Sequence, residues 1–241
     1  MFIDKAVVFL AVLLLFPLGS FSQTNAVARG QYSALGQDAS WTDSWTLSLD
    51  SKGNYEVTTA VGKKPQEGSL GQTVQQTFGF DRKWQPLAFR VRLGKQPRQI
   101  ALDCTFSDTL ADCQSDFNGT QSNAKLSIER PYCFMPNEFY GLDFAWFLAG
   151  IGNQVLKASV SSVDVPLVWL DEDDTDKNKI KLTIPEKQTV RVIGTEKIAI
   201  LGHEVQARKL QTSDNFKLWI SQSGLLVAFA VSENGEDADL H

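Results

Sequence analysis

Side chains able to do chemistry are sparse in this chain and rarely stand together. Two histidines occur, His203 within a run of strand-like alternation and His241 at the last position. A Ser-His-Asp or Cys-His site would have one usable base. Glu204 follows His203, and adjacent strand residues point to opposite faces, so His203 reads as an ordinary strand histidine. There is no G-x-S-x-G elbow, phosphate loop, dinucleotide fingerprint or H-E-x-x-H. The 28 acidic residues could supply a carboxylate pair for glycoside-type hydrolysis, but no spacing singles one out. A carboxylate-dependent hydrolase is therefore the least favoured class, and a non-enzymatic protein without a cofactor is expected.

Three other clusters invite a functional reading. In DEDDTDKN, 171–178, Asp174, Asp176 and Asn178 match the first three ligands of a D-x-D-x-N calcium loop. The sixth position is Lys179 instead of Gly and the twelfth is Pro185 instead of Glu, so the pattern fails twice and a solvated hairpin tip is expected. Asn118-Gly119-Thr120 is a glycosylation sequon, relevant only in a eukaryotic secretory path. Arg82, Lys83, Arg90, Arg92, Lys95 and Arg98 form a basic cluster with only Asp81 among them. It reads as a solvated sheet face, with an anionic head group or acidic partner as the functional alternative.

Cysteine chemistry is more pointed. In RQIALDCTF, Ile100, Leu102, Cys104 and Phe106 share one strand face; in DCQSDF, Cys113 and Phe117 share the next. Folding the chain back across SDTL sets Cys104 opposite Cys113 on one face, as a cross-strand disulfide requires. Two reduced core cysteines, or a Cys104–Cys133 bridge, are the alternatives. Cys133, between Tyr132 and Phe134, reads as a buried, inert thiol.

The elements that must position these residues are mostly strands. SWTLSLD and YEVTTAV alternate around DSKGN as a hairpin, and PLAFRVRL continues with Leu87, Phe89, Val91 and Leu93 inward and Arg90 and Arg92 outward. Further strands are predicted near 99–106, 113–118 and 124–129, then VPLVWL, KIKLTIP, TVRVIG, KIAIL, EVQARKL, FKLWIS and GLLVAFAV. The spacing of turn residues fits an antiparallel sheet that curls or closes. With no internal repeat or linker, residues 23–241 read as a single domain.

Residues 1–22 read as a signal peptide. Lys5 precedes an uncharged apolar core, Ala6 to Leu18, and Ser20-Phe21-Ser22 places small residues at −3 and −1 before Gln23. Thirteen apolar residues are short of the roughly 20 that span a bilayer. The mature protein is thus expected to be exported, periplasmic or extracellular, where disulfides persist. A formal net charge of −5 argues against a nucleic-acid partner.

YGLDFAWFLAGIG, 140–152, is apolar on nearly every side and lacks strand alternation. Asn137 and Glu138 offer a helix start, Gly150 and Gly152 a stop, so a short helix is predicted near 138–150. At 1.5 Å per residue it covers about 20 Å, too short for a hydrocarbon core of about 30 Å. A helix apolar all round must be covered on several sides. The expected fold is mainly β: a large curved antiparallel sheet or open half-barrel wrapped around one short apolar helix.

Residues 139–231 combine that helix, an acidic-tipped hairpin and the strand pair GTEKIAILGHEVQARKL, and FKLWISQSGLLVAFAV closes the run. In order and spacing the stretch resembles exported bacterial envelope proteins of unknown function whose sheets are related to the lipoprotein-carrier (LolA/LolB-like) architecture. Gly202 to Ala207 and Leu218 to Val227 carry most of the resemblance. It implies a curved sheet around an apolar cavity, with a lipid or acylated protein as partner and peripheral contact with envelope surfaces. Phe89, Phe106, Phe144, Trp146 and Phe147 are the predicted walls for a hydrophobic ligand. The alternative is a structural or interaction module with a filled core.

Overall fold

In a computed structural model, the structure describes residues 7–11, 26–35, 41–63, 73–95, 98–136, 145–200 and 203–231. The chain enters as β1 (Val7–Ala11), β2 (Ala26–Leu35), β3 (Trp41–Leu49), β4 (Tyr55–Lys63) and β5 (Thr73–Phe80). β6 (Pro86–Lys95), β7 (Arg98–Phe106), β8 (Leu110–Phe117), β9 (Thr120–Ser127) and β10 (Cys133–Met135) come next. After α1 (Ala145–Ala158) come β11 (Ser162–Glu172), β12 (Ile180–Ile200), β13 (His203–Thr212), β14 (Lys217–Ser221) and β15 (Leu226–Val231). The described strands make one 15-stranded sheet in the order β10-β11-β12-β13-β14-β15-β1-β2-β3-β4-β5-β6-β7-β8-β9. All neighbours are antiparallel except β10 and β11.

Register obeys the two-residue alternation. One cross-strand row runs Ala28, Leu47, Val57, Phe78, Phe89, Cys104, Cys113, Ala124. Each faces inward, and a slip by one residue would send the whole row to solvent. The sheet curls until its β9 edge meets β12: the Ile180 amide donates to Ser122 Oγ of β9 at 3.2 Å. The opposite end, β10, is tucked inside, with Cys133, Phe134 and Met135 all buried. The architecture is a mainly β, curled half-barrel sheet around an apolar helix.

Three local readings need correcting. The helix does not stop at Gly150 and Gly152 but runs through both to Ala158; its expected cap, Asn137 and Glu138, lies outside the described residues. Both glycines serve close approach. A Cβ on Gly150 would stand 2.8 Å from the Trp84 carbonyl oxygen, and one on Gly152 2.7 Å from Ile220. KIKLTIP, TVRVIG and KIAIL are not separate strands but one 21-residue strand, β12. Its Pro185 and Gly194 fall at register shifts, where a bulge absorbs the missing amide or side chain without ending the strand. The basic cluster also has an acidic partner that the sequence hid: Asp103, from the neighbouring β7, pairs with both Arg92 at 2.7 Å and Arg90 at 3.6 Å.

Residues 7–11 form part of the sheet. Val7–Leu10 pair with β15 and Val8–Ala11 with β2, so β1 is the hydrogen-bonded link between the two halves of the sheet. Among the described residues no helix is long and apolar enough to cross a membrane.

Candidate functional site

The N-terminal half of α1 meets rings on every side. Phe147 lies 5.2 Å from Phe78, 5.6 Å from Phe80, 5.7 Å from Phe89, 6.1 Å from Phe106 and 5.2 Å from Phe134. The interplanar angles, 60–81°, are the edge-to-face arrangement that aromatic quadrupoles favour. Phe89, Phe106 and Phe147 are thus brought together, each at most 6% exposed. Trp146 points away to Trp45, 5.3 Å distant and T-shaped. Phe144 lies outside the described residues.

One residue of the site gives no signal in the sequence. Arg130, its side chain 10% exposed, spreads its guanidinium over Gln85 Oε1 at 2.7 Å and the carbonyls of Pro86, Ser107 and Phe106 at 2.6, 3.2 and 3.3 Å. It anchors the β9–β10 connection, and so Phe134, against the turns before β6 and after β7. An arginine beside Pro131 carries no pattern that announces this, because its acceptors are backbone carbonyls distant in sequence.

The C-terminal half of α1 has different surroundings. Gln154 donates to the Trp84 carbonyl at 3.1 Å, Lys157 Nζ to the Arg82 carbonyl at 3.1 Å, and Asn153 Nδ2 to the Gly224 carbonyl at 2.9 Å. These bonds tie the helix to the β5–β6 and β14–β15 turns. Between them opens a recess of about 440 Å³, lined by Tyr55, Trp84, Asn153, Leu156, Lys157, Arg208 and the turn Ser221–Gly224. Tyr55 and Trp84 stack there at 4.5 Å and 18°. Trp84 has φ +63°, a left-handed backbone that costs a bulky residue about 1–2 kcal/mol. Asp81 holds that turn by accepting the Lys83 and Gln85 amides at 2.7 and 2.8 Å. Strain of this kind, held by surrounding bonds, is typical of functional sites.

A second recess, of about 420 Å³, is polar and lies along β7, β8 and β9, with Asp103 and Asp116 among its walls. Asp103 is taken by the two arginines, and Asp116 accepts the Gly119 amide at 2.7 Å. At the acidic tip, Asp173 is held by Thr175, Asp174 by Lys181, and Asp176 by Asn178 and Lys179. The hydrogen bonds from Thr175 and Asn178 lower the Asp173 and Asp176 pKa values. Among the described residues no three His, Cys, Asp or Glu side chains converge as metal ligands. Asn118 of the sequon occupies the β8–β9 turn with φ +53°, its Oδ1 accepting the Gln99 amide at 2.7 Å.

Cys104 and Cys113 face each other in register and are joined, with Cα atoms 4.0 Å apart. A disulfide here fits an oxidising, exported compartment. Cys133 is free and buried; desolvation pushes its thiol up to about 12. It is therefore protonated and inert at neutral pH.

No protein-family profile matches the chain, and no curated protein matches it in sequence. Among solved structures, it is similar to a beta-barrel-like protein of the domain of unknown function DUF1849 from Brucella abortus. That likeness covers 93% of each chain, at 9% identity and a TM-score of 0.42.

Proposed function

We propose that the chain is an exported, non-enzymatic envelope protein that holds a lipid or an acylated partner at the mouth of its curled sheet. The recess beside the C-terminal end of α1 carries this reading. Its size falls in the range of small-ligand sites, about 300–1,000 Å³, and it joins an aromatic wall to a few convergent polar groups. The predicted aromatic walls take a different part in it. Phe89, Phe106 and Phe147 pack on one another and hold the helix in place, and Tyr55, Trp84 and Leu156 would meet the ligand. Export rests on the apolar leader and the Cys104–Cys113 bridge. The carrier-like relationship suggested by Gly202 to Ala207 and Leu218 to Val227 belongs to the same proposal.

The test is native mass spectrometry with organic extraction, on protein purified from an exporting host. A co-purifying amphiphile, lost in Leu156→Glu while the circular dichroism stays unchanged, is the expected outcome. An apo mass in the parent chain, with no uptake of added amphiphile, would contradict ligand holding.

One observation favours the interaction module as a second reading. β11 starts at Ser162 opposite Arg191, so among the described strands the far end of β12 is paired on one side only, by β13. Ile193 is 43% exposed on this arm. An open strand edge with apolar side chains can add a partner's strand. Cross-linking that maps to 193–200, in a chain that takes up no amphiphile, would favour that reading.

A further inference from the structure

We infer that the recess selects an amphiphile with an anionic head group, carboxylate or phosphate, bound by Arg208 and Lys157. The inference rests on the proposed ligand binding and adds the chemical class of the ligand. It starts from how this protein treats its cations. Arg92 pairs with Asp103, Lys125 with Asp112, Lys179 with Asp176, Lys181 with Asp174, Lys197 with Glu204 and Lys209 with Glu196. Six of its cations thus stand beside a carboxylate. The recess has Lys157 and Arg208 in its wall and no Asp or Glu.

The two cations differ in what else occupies them. Lys157 stands in the last turn of α1, where a positive charge suits the helix dipole, and gives one proton to the Arg82 carbonyl. That role explains Lys157 without a ligand, and leaves it two further protons. Arg208 has no such explanation. It projects from mid-β13, between Thr195 and Ile220 in register, and among the described residues it has neither an ion pair nor a side-chain hydrogen bond. A guanidinium offers a planar fork of donors that matches a carboxylate or phosphate in bidentate fashion.

The rest of the wall suits the apolar chain attached to such a head group. The Tyr55–Trp84 stack and Leu156 offer it apolar surface, and the Ser221–Gly224 turn offers hydroxyls at the rim. Gly224 has φ +87°, and a Cβ there would stand 2.8 Å from Asn153 Oδ1 and 3.4 Å from Trp84 Nε1. The turn is therefore drawn tightly against the wall and leaves the space above it open.

The experiment is isothermal titration of the exported chain with four ten-carbon amphiphiles: decanoate, decyl phosphate, decyl maltoside and decyltrimethylammonium. Hydrogen bonds to a charged group make the two anions bind about tenfold or more tighter than the maltoside at low salt. Arg208→Gln is expected to bring the anions to within about twofold of the maltoside, whose own affinity stays unchanged; Arg208→Lys should retain part of the preference. The balance between decanoate and decyl phosphate then separates a fatty carboxylate from a phosphate head group. Equal binding of all four, or an anion preference that survives Arg208→Gln, would overturn the inference and leave ligand holding intact. Absence of binding by any of the four would overturn ligand holding itself.

Discussion

At its first turn α1 places Phe147 among five rings, and two to three turns later Leu156 and Lys157 border a recess of about 440 Å³. The first region is held by aromatic edges. The second is held by three hydrogen bonds from the helix to turns, which fix Trp84 and Gly224 beside open space. Greasy residues on the helix thus mark where the fold is fastened, and the proposed ligand site lies where polar side chains tie that helix to loops.

Substitutions should separate the two regions. Phe147→Ala is expected to cost about 3–5 kcal/mol in urea unfolding, because it removes the ring at the centre of the cluster. Tyr55→Ala and Leu156→Ala, at half-buried positions, should cost about 1 kcal/mol or less and still abolish amphiphile binding. A Phe147→Ala protein that unfolds like the parent chain would remove the distinction. Arg130→Ala should come next, at about 2–3 kcal/mol, since it strands part-buried carbonyls that the guanidinium now satisfies.

Opening the Cys104–Cys113 bridge should cost about 2–3 kcal/mol, the range for a short loop. A thiol reagent checks both halves of the cysteine assignment. At pH 8 the native protein should show no reactive thiol, the denatured unreduced protein one, and the denatured, reduced protein all three. The raised Cys133 pKa stabilises the fold below the ordinary thiol value. That contribution is lost as pH climbs from there towards about 12.

How much of this was legible in the sequence depends on the range of the interaction. Strand faces and the disulfide came from two-residue alternation, because a side chain's face is decided by its immediate neighbours. The helix end is a different case: Gly150 and Gly152 look like a stop until Trp84 and Ile220 are known to press on them. The predicted ligand wall rests on aromatic character, and its described members Phe89, Phe106, Trp146 and Phe147 are all buried. Tyr55, Trp84, Leu156 and Arg208 span more than 150 positions of sequence and carry no shared motif, so only the curl of the sheet brings them together.

Two smaller effects bear on the same contrast. β15 and β2 are both antiparallel to β1 and hence parallel to each other. In a chain starting at Gln23 they would face one another across a strand-wide gap of about 10 Å. Amide exchange at 228–231 and 32–35 should then be faster than in the full chain, while α1 amides stay protected. Glu196 has its pKa lowered, chiefly by the Trp219 indole N–H at 2.8 Å and then by Lys209. It stabilises the fold above the ordinary glutamate range, and that contribution is lost as pH falls through the lowered value. The stability gap to Glu196→Gln should be below about 1 kcal/mol at pH 7, after solvent screening, and should close in acid.

The most direct measurement is anomalous diffraction from crystals of the exported chain soaked with a bromine-tagged decanoate. A bromine peak beside Tyr55, Leu156 and Ser223, with the carboxylate on Arg208, is the expected result. A peak among Phe89, Phe106 and Phe147 would place the ligand inside the packed aromatic cluster, and would contradict the division between the two ends of α1.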